Sequence, residues 1–189
     1  MKIISLFCGA GGMDLGFIKA GHQIIWANDN DKDCIETYKN NICKEYNLPH
    51  EHVVIKDIEK IKSNEIPEGD VVIGGFPCQG FSVANPYRHV EDKRNKLYLE
   101  LLRIIKDKMP KYFVAENVPG LLSIGNGAVI RMIMKDFKDI GYKAQYKVLN
   151  SADFGVPQKR LRVIILGTRN DIEQRIFHPK PTHENKWLT

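Results

Sequence analysis

The sequence predicts an α/β protein with a mostly parallel seven-stranded sheet and helices on both of its faces. Short apolar runs rich in Val and Ile alternate with segments whose apolar residues recur at helical spacing. Strands that alternate with helices are joined by crossovers, which favours parallel pairing and a sheet that is covered on both sides. Glycine and proline between these segments mark the turns.

Four strands and two helices are predicted in the first part of the chain. The strands are Lys2–Phe7, Gln23–Asn28, Val53–Ile55 and Asp70–Gly74. A glycine turn follows the first strand and leads into a short helix that extends to about Lys19. The second helix is predicted from Lys32 to about Cys43.

Three more strands and two helices are predicted beyond a polar, turn-prone stretch at Asn85–Arg94. The helices span Lys96–Lys108 and Val129–Ile140. The strands are Lys111–Ala115, Tyr142–Leu149 and Val163–Gly167, of which the last two are joined by a loop. Residues 1–170 therefore form one predicted domain, and residues 171–189 form an extended polar tail.

The composition predicts a cytosolic protein without a metal site. The net charge of +5 and the pI of about 8.9 suit a polyanionic partner. No apolar run is long enough to span a membrane, and the start of the chain lacks a secretion signal. The cysteines form no Cys-x-x-Cys pair and have no His cluster beside them, so we expect reduced thiols and no zinc. They are Cys8, Cys34, Cys43 and Cys78.

One cysteine is placed for chemistry. The stretch Gly74–Ser82 reads Gly-Gly-Phe-Pro-Cys-Gln-Gly-Phe-Ser and follows an apolar strand. Cys78 therefore sits on a turn at the carboxyl end of a strand, where open α/β sheets hold ligands and reactive groups. A thiolate is a strong nucleophile, and small neighbours leave room for a bulky substrate. The alternative is a small buried cysteine in a tight loop.

The stretch around Cys78 resembles the signature of the DNA (cytosine-5) methyltransferase family, in which the Cys of Pro-Cys-Gln is the catalytic nucleophile. Three further blocks match the family's motifs in the same order along the chain. They are Ile4–Gly12, Glu116–Val118 and Gln158–Arg162. The resemblance implies the Rossmann-like fold of S-adenosylmethionine-dependent methyltransferases, with residues 1–170 as the catalytic, cofactor-binding domain.

The glycine turn after the first strand is the predicted cofactor end. Glycines allow close backbone approach, and the helix start offers free amide donors. The turn lacks the Gly-x-Gly-x-x-Gly pattern, which disfavours hydride transfer. The family resemblance implies S-adenosylmethionine as cofactor and S-adenosylhomocysteine as product, and a turn without a ligand is the alternative. The residues implied around the methionine part are Phe7, Cys8, Gly9, Ala10, Gly11 and Gly12.

Further cofactor contacts are predicted after the next strands. Asp29 can accept hydrogen bonds from both ribose hydroxyls, and Asn30 stands where the family often has an apolar or aromatic residue against adenine. The resemblance implies that Asp57 binds the adenine amino group and that Ile58 packs on the ring, although Asp57 also suits a helix N-cap. Weaker candidates by the same resemblance are Gly75, Pro77 and Leu97.

The implied reaction needs a nucleophile, an acid and positive charge around the cytosine ring. Addition of Cys78 to carbon 6 activates carbon 5 toward the methyl group. Glu116 ends the fifth strand, and its protonated form can donate to ring nitrogen 3. Arg160 and Arg162 alternate along an incipient strand, so that one can reach the base or its phosphate while the other braces Glu116. A structural glutamate and a solvated basic edge are the alternatives.

Double-stranded DNA is the predicted partner, with the target cytosine flipped out of the stack. The stretch Ser82–Arg94 carries several cations and is predicted to close over DNA, and a plain solvated loop is the alternative. The residues predicted to contact DNA are Gln79, Ser82, Arg88 and Arg94.

Members of the family continue past the point that this chain reaches, with a target-recognition region and a C-terminal segment. We therefore expect a second subunit or a C-terminal segment to carry target recognition, in a restriction-modification system of the prokaryotic cytosol or nucleoid. A tRNA cytosine-5 methyltransferase and a non-catalytic subunit remain as alternatives. The retained Phe-Pro-Cys-Gln sequence disfavours the first, and the intact Cys78, Glu116 and arginine pair disfavour the second.

Overall fold

The computed structural model describes residues 1–77, 96–183 and 187. Its strands are β1 (Lys2–Leu6), β2 (Gln23–Asp29), β3 (Val53–Ile55), β4 (Val71–Gly75), β5 (Tyr112–Asn117), β6 (Tyr142–Asn150) and β7 (Leu161–Arg169). They belong to a seven-stranded sheet with the order β3-β2-β1-β4-β5-β7-β6. The predicted fold class, a mostly parallel seven-stranded α/β sheet, is confirmed.

The helices match the predicted ones with one extension. In the described ranges they are α1 (Gly12–Lys19), α2 (Lys32–Tyr38), α3 (Lys44–Tyr46), α4 (Lys96–Lys108) and α5 (Ala128–Asp139). A π-helical turn at Lys39–Cys43 joins α2 to α3, so the predicted helix ends at Tyr46 rather than near Cys43. The helix continues because Ile42 and Cys43 are buried, and it stops where Asn47 adopts the left-handed conformation.

Residues 1–76 and 96–113 form one compact unit. In this unit β1 pairs in parallel with β2 and with β4, and β2 pairs in parallel with β3. The turns that follow these parallel strands therefore lie at one edge of this part of the sheet, where ligands bind in open α/β sheets. The unit's fully buried apolar side chains include Ile3, Ile4, Leu6, Ile35, Ile73, Ile104 and Ile105.

The second compact unit is described from Val114 onward, together with Pro77. Its strands β6 and β7 are antiparallel, with Tyr142 opposite Arg169 at one end and Asn150 opposite Leu161 at the other. Helix α5 packs on β6. The buried side chains of α5 are Val129, Ile130, Ile133 and Phe137.

The tail after β7 has no helix or strand over its described residues, and Asp153 anchors it. The backbone carbonyl of Asp153 accepts hydrogen bonds from the N–H groups of Thr182 and His183, both at 2.9 Å. The Asp153 carboxylate accepts a third bond from Nε1 of Trp187 at 2.7 Å. Nζ of Lys159 lies 4.7 Å from the centre of the Trp187 ring, which is a cation–π contact.

Among the described glycines, Gly11 leaves the least room for a side chain. Its φ is +85°, and a Cβ there would lie 2.2 Å from Cδ1 of Ile42 and 2.6 Å from Cδ2 of Tyr38. We expect Gly11→Ala to lower the free energy of unfolding by about 2–5 kcal/mol, since the left-handed backbone costs about 1–2 kcal/mol and the overpacking about 1–3 kcal/mol. Urea unfolding without cofactor measures this change.

The matched control is Gly12→Ala. A Cβ at Gly12 would meet no atom within 4 Å, and its φ is not positive. We expect this variant to stay within about 1 kcal/mol of the parent protein. Equal stability of the two variants would contradict the packing of α2 against the turn.

Candidate active site

The turn between β1 and α1 has a strained backbone. Phe7, Gly9 and Gly11 have φ values of 54°, 52° and 85°. Glycine adopts a positive φ readily, but a bulky residue such as Phe7 does so rarely. Non-glycine residues in this conformation cluster at functional sites. This conformation ends β1 at Leu6, one position earlier than predicted. A Cβ on Gly9 or Gly12 would meet no atom within 4 Å, so open space adjoins the turn and a ligand can approach its backbone.

The carboxylate of Asp29, at the end of β2, holds this turn. Its Oδ2 accepts a hydrogen bond from the Gly9 N–H at 2.8 Å, and its Oδ1 accepts one from the Asp31 N–H at 3.0 Å. A carboxylate oxygen can accept two hydrogen bonds, so each of these atoms keeps an acceptor site for a ribose hydroxyl. The neighbouring Asn30 is exposed.

A buried carboxylate that the sequence reasoning missed lies in the first turn of α1. Asp14 is fully buried, and its two oxygens accept hydrogen bonds from Oγ of Ser5 at 2.6 Å and from the hydroxyl of Tyr38 at 2.8 Å. Burial raises the pKa of Asp14, while the two hydroxyl donors oppose that rise. The available signal was an aspartate in a helix whose other residues, apart from Lys19, are apolar. Asp14 is the buried residue of this helix.

The described cysteines are not set up as nucleophiles. Burial, and after it the negative charges of Asp14 and Asp29, raise the pKa of Cys8 far above the ordinary range. Burial also raises the pKa of Cys34 and of Cys43. Because the thiolate is the reactive form, these thiols stay protonated and inert at neutral pH.

Asp57 and Ile58 follow β3 in the same unit. Oδ1 of Asp57 accepts a hydrogen bond from the Glu59 N–H at 3.1 Å and so caps the 3-10 turn Ile58–Lys60, as the alternative interpretation of Asp57 expected. Within the described part of the chain, Oδ2 of Asp57 has no partner, so capping leaves this oxygen for a ligand. Ile58 is 3% exposed.

The remaining cofactor candidates differ in their exposure to solvent. Gly75 is half-buried at the end of β4, and Leu97 is half-buried in the first turn of α4. Ala10 and Pro77 are exposed. Contact of these residues with a cofactor stays a prediction.

In the second unit, Glu116 on β5 meets Arg162 on β7. Nε of Arg162 lies 2.6 Å from Oε1 of Glu116, and the two side chains are 25% and 23% exposed. Charge-assisted bonds of this length between partly buried groups fix the orientation of both partners. The adjacent Asn117 is buried, and its Oδ1 accepts a hydrogen bond from the Val118 N–H at 2.8 Å, which shapes the turn after β5.

Arg160 differs from Arg162 in its surroundings. It precedes β7, and its backbone N–H donates to Oδ1 of Asn150 at 3.1 Å while its carbonyl accepts from the Ser151 N–H at 3.0 Å. Its side chain is exposed and has no ion pair among the residues that the structure describes. The backbone is thus fixed, and the guanidinium is available to a ligand.

A mostly apolar cavity of about 330 Å³ adjoins Arg162. Its other walls come from the ends of β6 and β7, the loop between them and the tail. The lining residues are Leu149, Ser151, Phe154, Val156, Ile164 and Pro179.

The predicted nucleophile and the predicted DNA contacts lie outside the described residues. They are Cys78, Gln79, Ser82, Arg88 and Arg94. In the described ranges, no group of His, Cys, Asp and Glu side chains could hold a metal ion. No described helix combines the length and the apolar character needed to cross a membrane.

Solved structures of other proteins share this fold. A prophage-encoded protein of Escherichia coli, provisionally assigned as a DNA modification methyltransferase, superposes with a TM-score of 0.77 at 28% identity; the match covers 94% of this chain and 49% of that one. The Schizosaccharomyces pombe Dnmt2 methyltransferase shares the fold, with a TM-score of 0.73 at 20% identity over 92% of this chain and 52% of its own.

Sequence comparison gives the family. The model of the C-5 cytosine-specific DNA methylase family matches residues 1–188, and the chain therefore belongs to this family. The Type II methyltransferase M.FnuDI of Fusobacterium nucleatum is 45% identical over 192 residues, which are 100% of this chain and 54% of the relative. M.AquIA of Picosynechococcus is 40% identical over 96% of this chain and 77% of the relative. The chain spans about half the length of most of the curated relatives compared.

The hydroxyl of Tyr38 should stabilise the ionised form of Asp14. Tyr38→Phe removes one of the two donors and leaves a buried oxygen unsatisfied, which costs about 1–3 kcal/mol. Because burial already raises the pKa of Asp14, losing a donor raises it further, and stability is lost as the pH rises through that pKa. We therefore expect the loss of unfolding free energy to grow as the pH is raised through a series of urea-unfolding measurements.

Tyr46→Phe serves as the control, because the hydroxyls that donate to Asp14 are those of Ser5 and Tyr38. We expect the stability of this variant to change with pH as that of the parent protein does. A loss for Tyr38→Phe that is the same at every pH would contradict a donor role toward an ionised Asp14.

Proposed function

We propose that this chain is the catalytic part of a DNA (cytosine-5) methyltransferase, which transfers a methyl group from S-adenosylmethionine to carbon 5 of cytosine. Membership of the C-5 cytosine-specific DNA methylase family supports the reaction class. The observation that carries the proposal is the Glu116–Arg162 pair, at 2.6 Å. It presents a carboxyl group held in one orientation by a guanidinium, as hydrogen bonding to a cytosine ring requires.

The chemistry assigns a separate task to each residue. The sulfur of Cys78 forms a bond to carbon 6 of cytosine while Glu116, in its protonated form, donates to ring nitrogen 3. Carbon 5 becomes nucleophilic and gains the methyl group. A water molecule then takes the proton from carbon 5, ring nitrogen 3 returns its proton to Glu116, and the bond between carbon 6 and sulfur breaks to release the thiolate. Arg162 holds Glu116, and the exposed guanidinium of Arg160, which has no ion pair in the described ranges, is proposed to bind the base oxygen or its phosphate.

The first unit fits the cofactor. S-adenosylmethionine supplies an electrophilic methyl group when it is bound. The open space at Gly9 and Gly12 suits its methionine part, and the free acceptor sites of Asp29 suit the ribose hydroxyls. Oδ2 of Asp57, which has no partner among the described residues, suits the adenine amino group. These residues lie at the carboxyl ends of β1, β2 and β3, which are parallel neighbours.

Double-stranded DNA is the proposed substrate, with the target base flipped into the site. Residues 114–183 carry eleven Lys and Arg against six Asp and Glu, whereas residues 1–76 and 96–113 carry thirteen against fourteen. The excess of positive charge is thus in the second unit, which suits contact with a phosphate backbone. We assign further DNA contacts to Gln79, Ser82, Arg88 and Arg94 from the family resemblance.

A second subunit or a further segment is proposed to read the target sequence. The curated relatives compared are Type II methyltransferases, and most of them are about twice as long as this chain. M.AquIA, of which the chain covers 77%, is a relative of more similar size. We place the protein in a restriction-modification system of the prokaryotic cytosol or nucleoid.

The covalent role of Cys78 can be tested by trapping. DNA that carries 5-fluorocytosine at the target cannot release the enzyme, because fluorine replaces the proton that must leave carbon 5. We expect a stable protein–DNA adduct on a denaturing gel with the parent protein and none with Cys78→Ser. The assay uses the chain together with any polypeptide that co-purifies with it.

Cys34→Ser is the matched control for trapping, because burial raises the pKa of that thiol and keeps it protonated. We expect it to form the adduct like the parent protein. A persistent adduct in Cys78→Ser would remove Cys78 from the proposed role.

The two roles of Asp57 can be separated by substitution. Asp57→Ala should weaken S-adenosylhomocysteine binding roughly 10- to 100-fold in calorimetry, since a hydrogen bond to a charged group contributes about 1.5–3 kcal/mol. Asp57→Ser keeps a capping side chain that is too short for the ligand. We expect it to unfold like the parent protein and still to bind weakly. Parent-like affinity in both variants would reduce Asp57 to a cap.

A further inference from the structure

Helix α4 is tied to the segment that follows β3 through the guanidinium of Arg103. Its Nη2 donates to the backbone carbonyl of Ile61 at 3.0 Å and to that of Ile58 at 3.3 Å. Its Nη1 donates to Oγ of Ser63 at 2.7 Å. One side chain on α4 therefore binds both ends of the segment Ile58–Ser63.

The helix holds this guanidinium in turn. Nε of Arg103 donates to Oε2 of Glu100 at 2.7 Å, and Nη2 forms an ion pair with the same carboxylate, which lies one helical turn away. Oγ of Ser63 donates to Oδ2 of Asp107 at 2.5 Å, which adds a second link between the segment and α4. The side chains of Arg103 and Glu100 are 31% and 19% exposed, so the network is partly shielded from water.

The segment held in this way begins at the proposed adenine contacts. Asp57 caps the 3-10 turn whose first carbonyl, that of Ile58, is bonded to Arg103. The cap leaves Oδ2 of Asp57 without a partner among the described residues. The direction of Oδ2 therefore depends on the position of the turn. Arg103 fixes that position through its bond to the Ile58 carbonyl.

We propose that Arg103 is a positioning residue for the cofactor: it fixes the turn at Ile58–Ser63 so that Asp57 discriminates adenine from other purines. This inference rests on the proposed function of Asp57. A planar guanidinium has five donors in a fixed fork, and four of its hydrogen bonds here reach acceptors on two different elements. A lysine ammonium has the same charge, but its single nitrogen cannot reach all of these acceptors at once.

The test compares two ligands that differ at the purine 6-position. S-adenosylhomocysteine carries an amino group there, and S-inosylhomocysteine carries an oxo group that a carboxylate repels. We expect the parent protein to prefer the first ligand by roughly 10- to 100-fold in calorimetry, as for other hydrogen bonds to a charged group. In Arg103→Gln we expect this preference to fall about tenfold or more, and in Arg103→Lys to fall partway.

The control is Lys106→Gln, which removes a positive charge from an exposed position of the same helix and touches none of these groups. It should keep the full preference. Ser63→Ala deletes one acceptor of Arg103 without changing charge, so it carries the test if Arg103→Gln fails to fold. We expect it to lower the preference as well.

The outcomes separate the inference from the function on which it rests. A parent protein that binds neither ligand would overturn the cofactor assignment itself. A second outcome is that the parent protein binds S-adenosylhomocysteine with the full preference and that Arg103→Gln and Ser63→Ala are less stable yet keep this preference. That result would overturn the positioning role. Loss of preference with retained folding would support it, since a purely structural role would leave the ratio of the two affinities unchanged.

Discussion

The β1–α1 turn depends on the buried carboxylate of Asp14. This side chain fixes the first turn of α1 to β1 through Ser5 and to α2 through Tyr38. A buried carboxylate is costly unless donors satisfy it, so the three elements hold one another at a set distance. Gly11 then packs directly against the Tyr38 ring, where a Cβ has no room. The left-handed conformations of the turn persist because the surrounding contacts leave it no alternative.

The same principle recurs at the other proposed cofactor contacts of the first unit. The Asp29 carboxylate accepts hydrogen bonds from the backbone N–H groups of Gly9 and Asp31, and each of its oxygens can accept one more. Asp57 caps its own turn with one oxygen and keeps the other. In both cases a carboxylate is oriented by backbone amides before any ligand arrives, which lowers the entropy lost on binding. Arg103 extends this arrangement by holding the turn that Asp57 caps.

The second unit orients a carboxylate by a different means. Glu116 is held by a guanidinium on β7, and the loop before β7 is fixed through Asn150 and Ser151. Arg160 is exposed while Arg162 is paired with Glu116, so two arginines of one motif lie in different surroundings. The excess of positive charge in this unit and the match to DNA methylases over residues 1–188 point to the same kind of partner.

The sequence by itself determined the order and type of the elements, the glycine turn, the family and the motif residues, because apolar periodicity and short motifs are local signals. Only the tertiary structure decided which arginine pairs with Glu116, that Asp57 caps a turn, and that Asp14 and Arg103 hold the turns proposed to bind the cofactor. Tyr38 is 24 residues from Asp14, and Arg103 is 40 from Ser63, so no local pattern joins them. Such contacts exist because packing brings distant polar groups together where water cannot satisfy them.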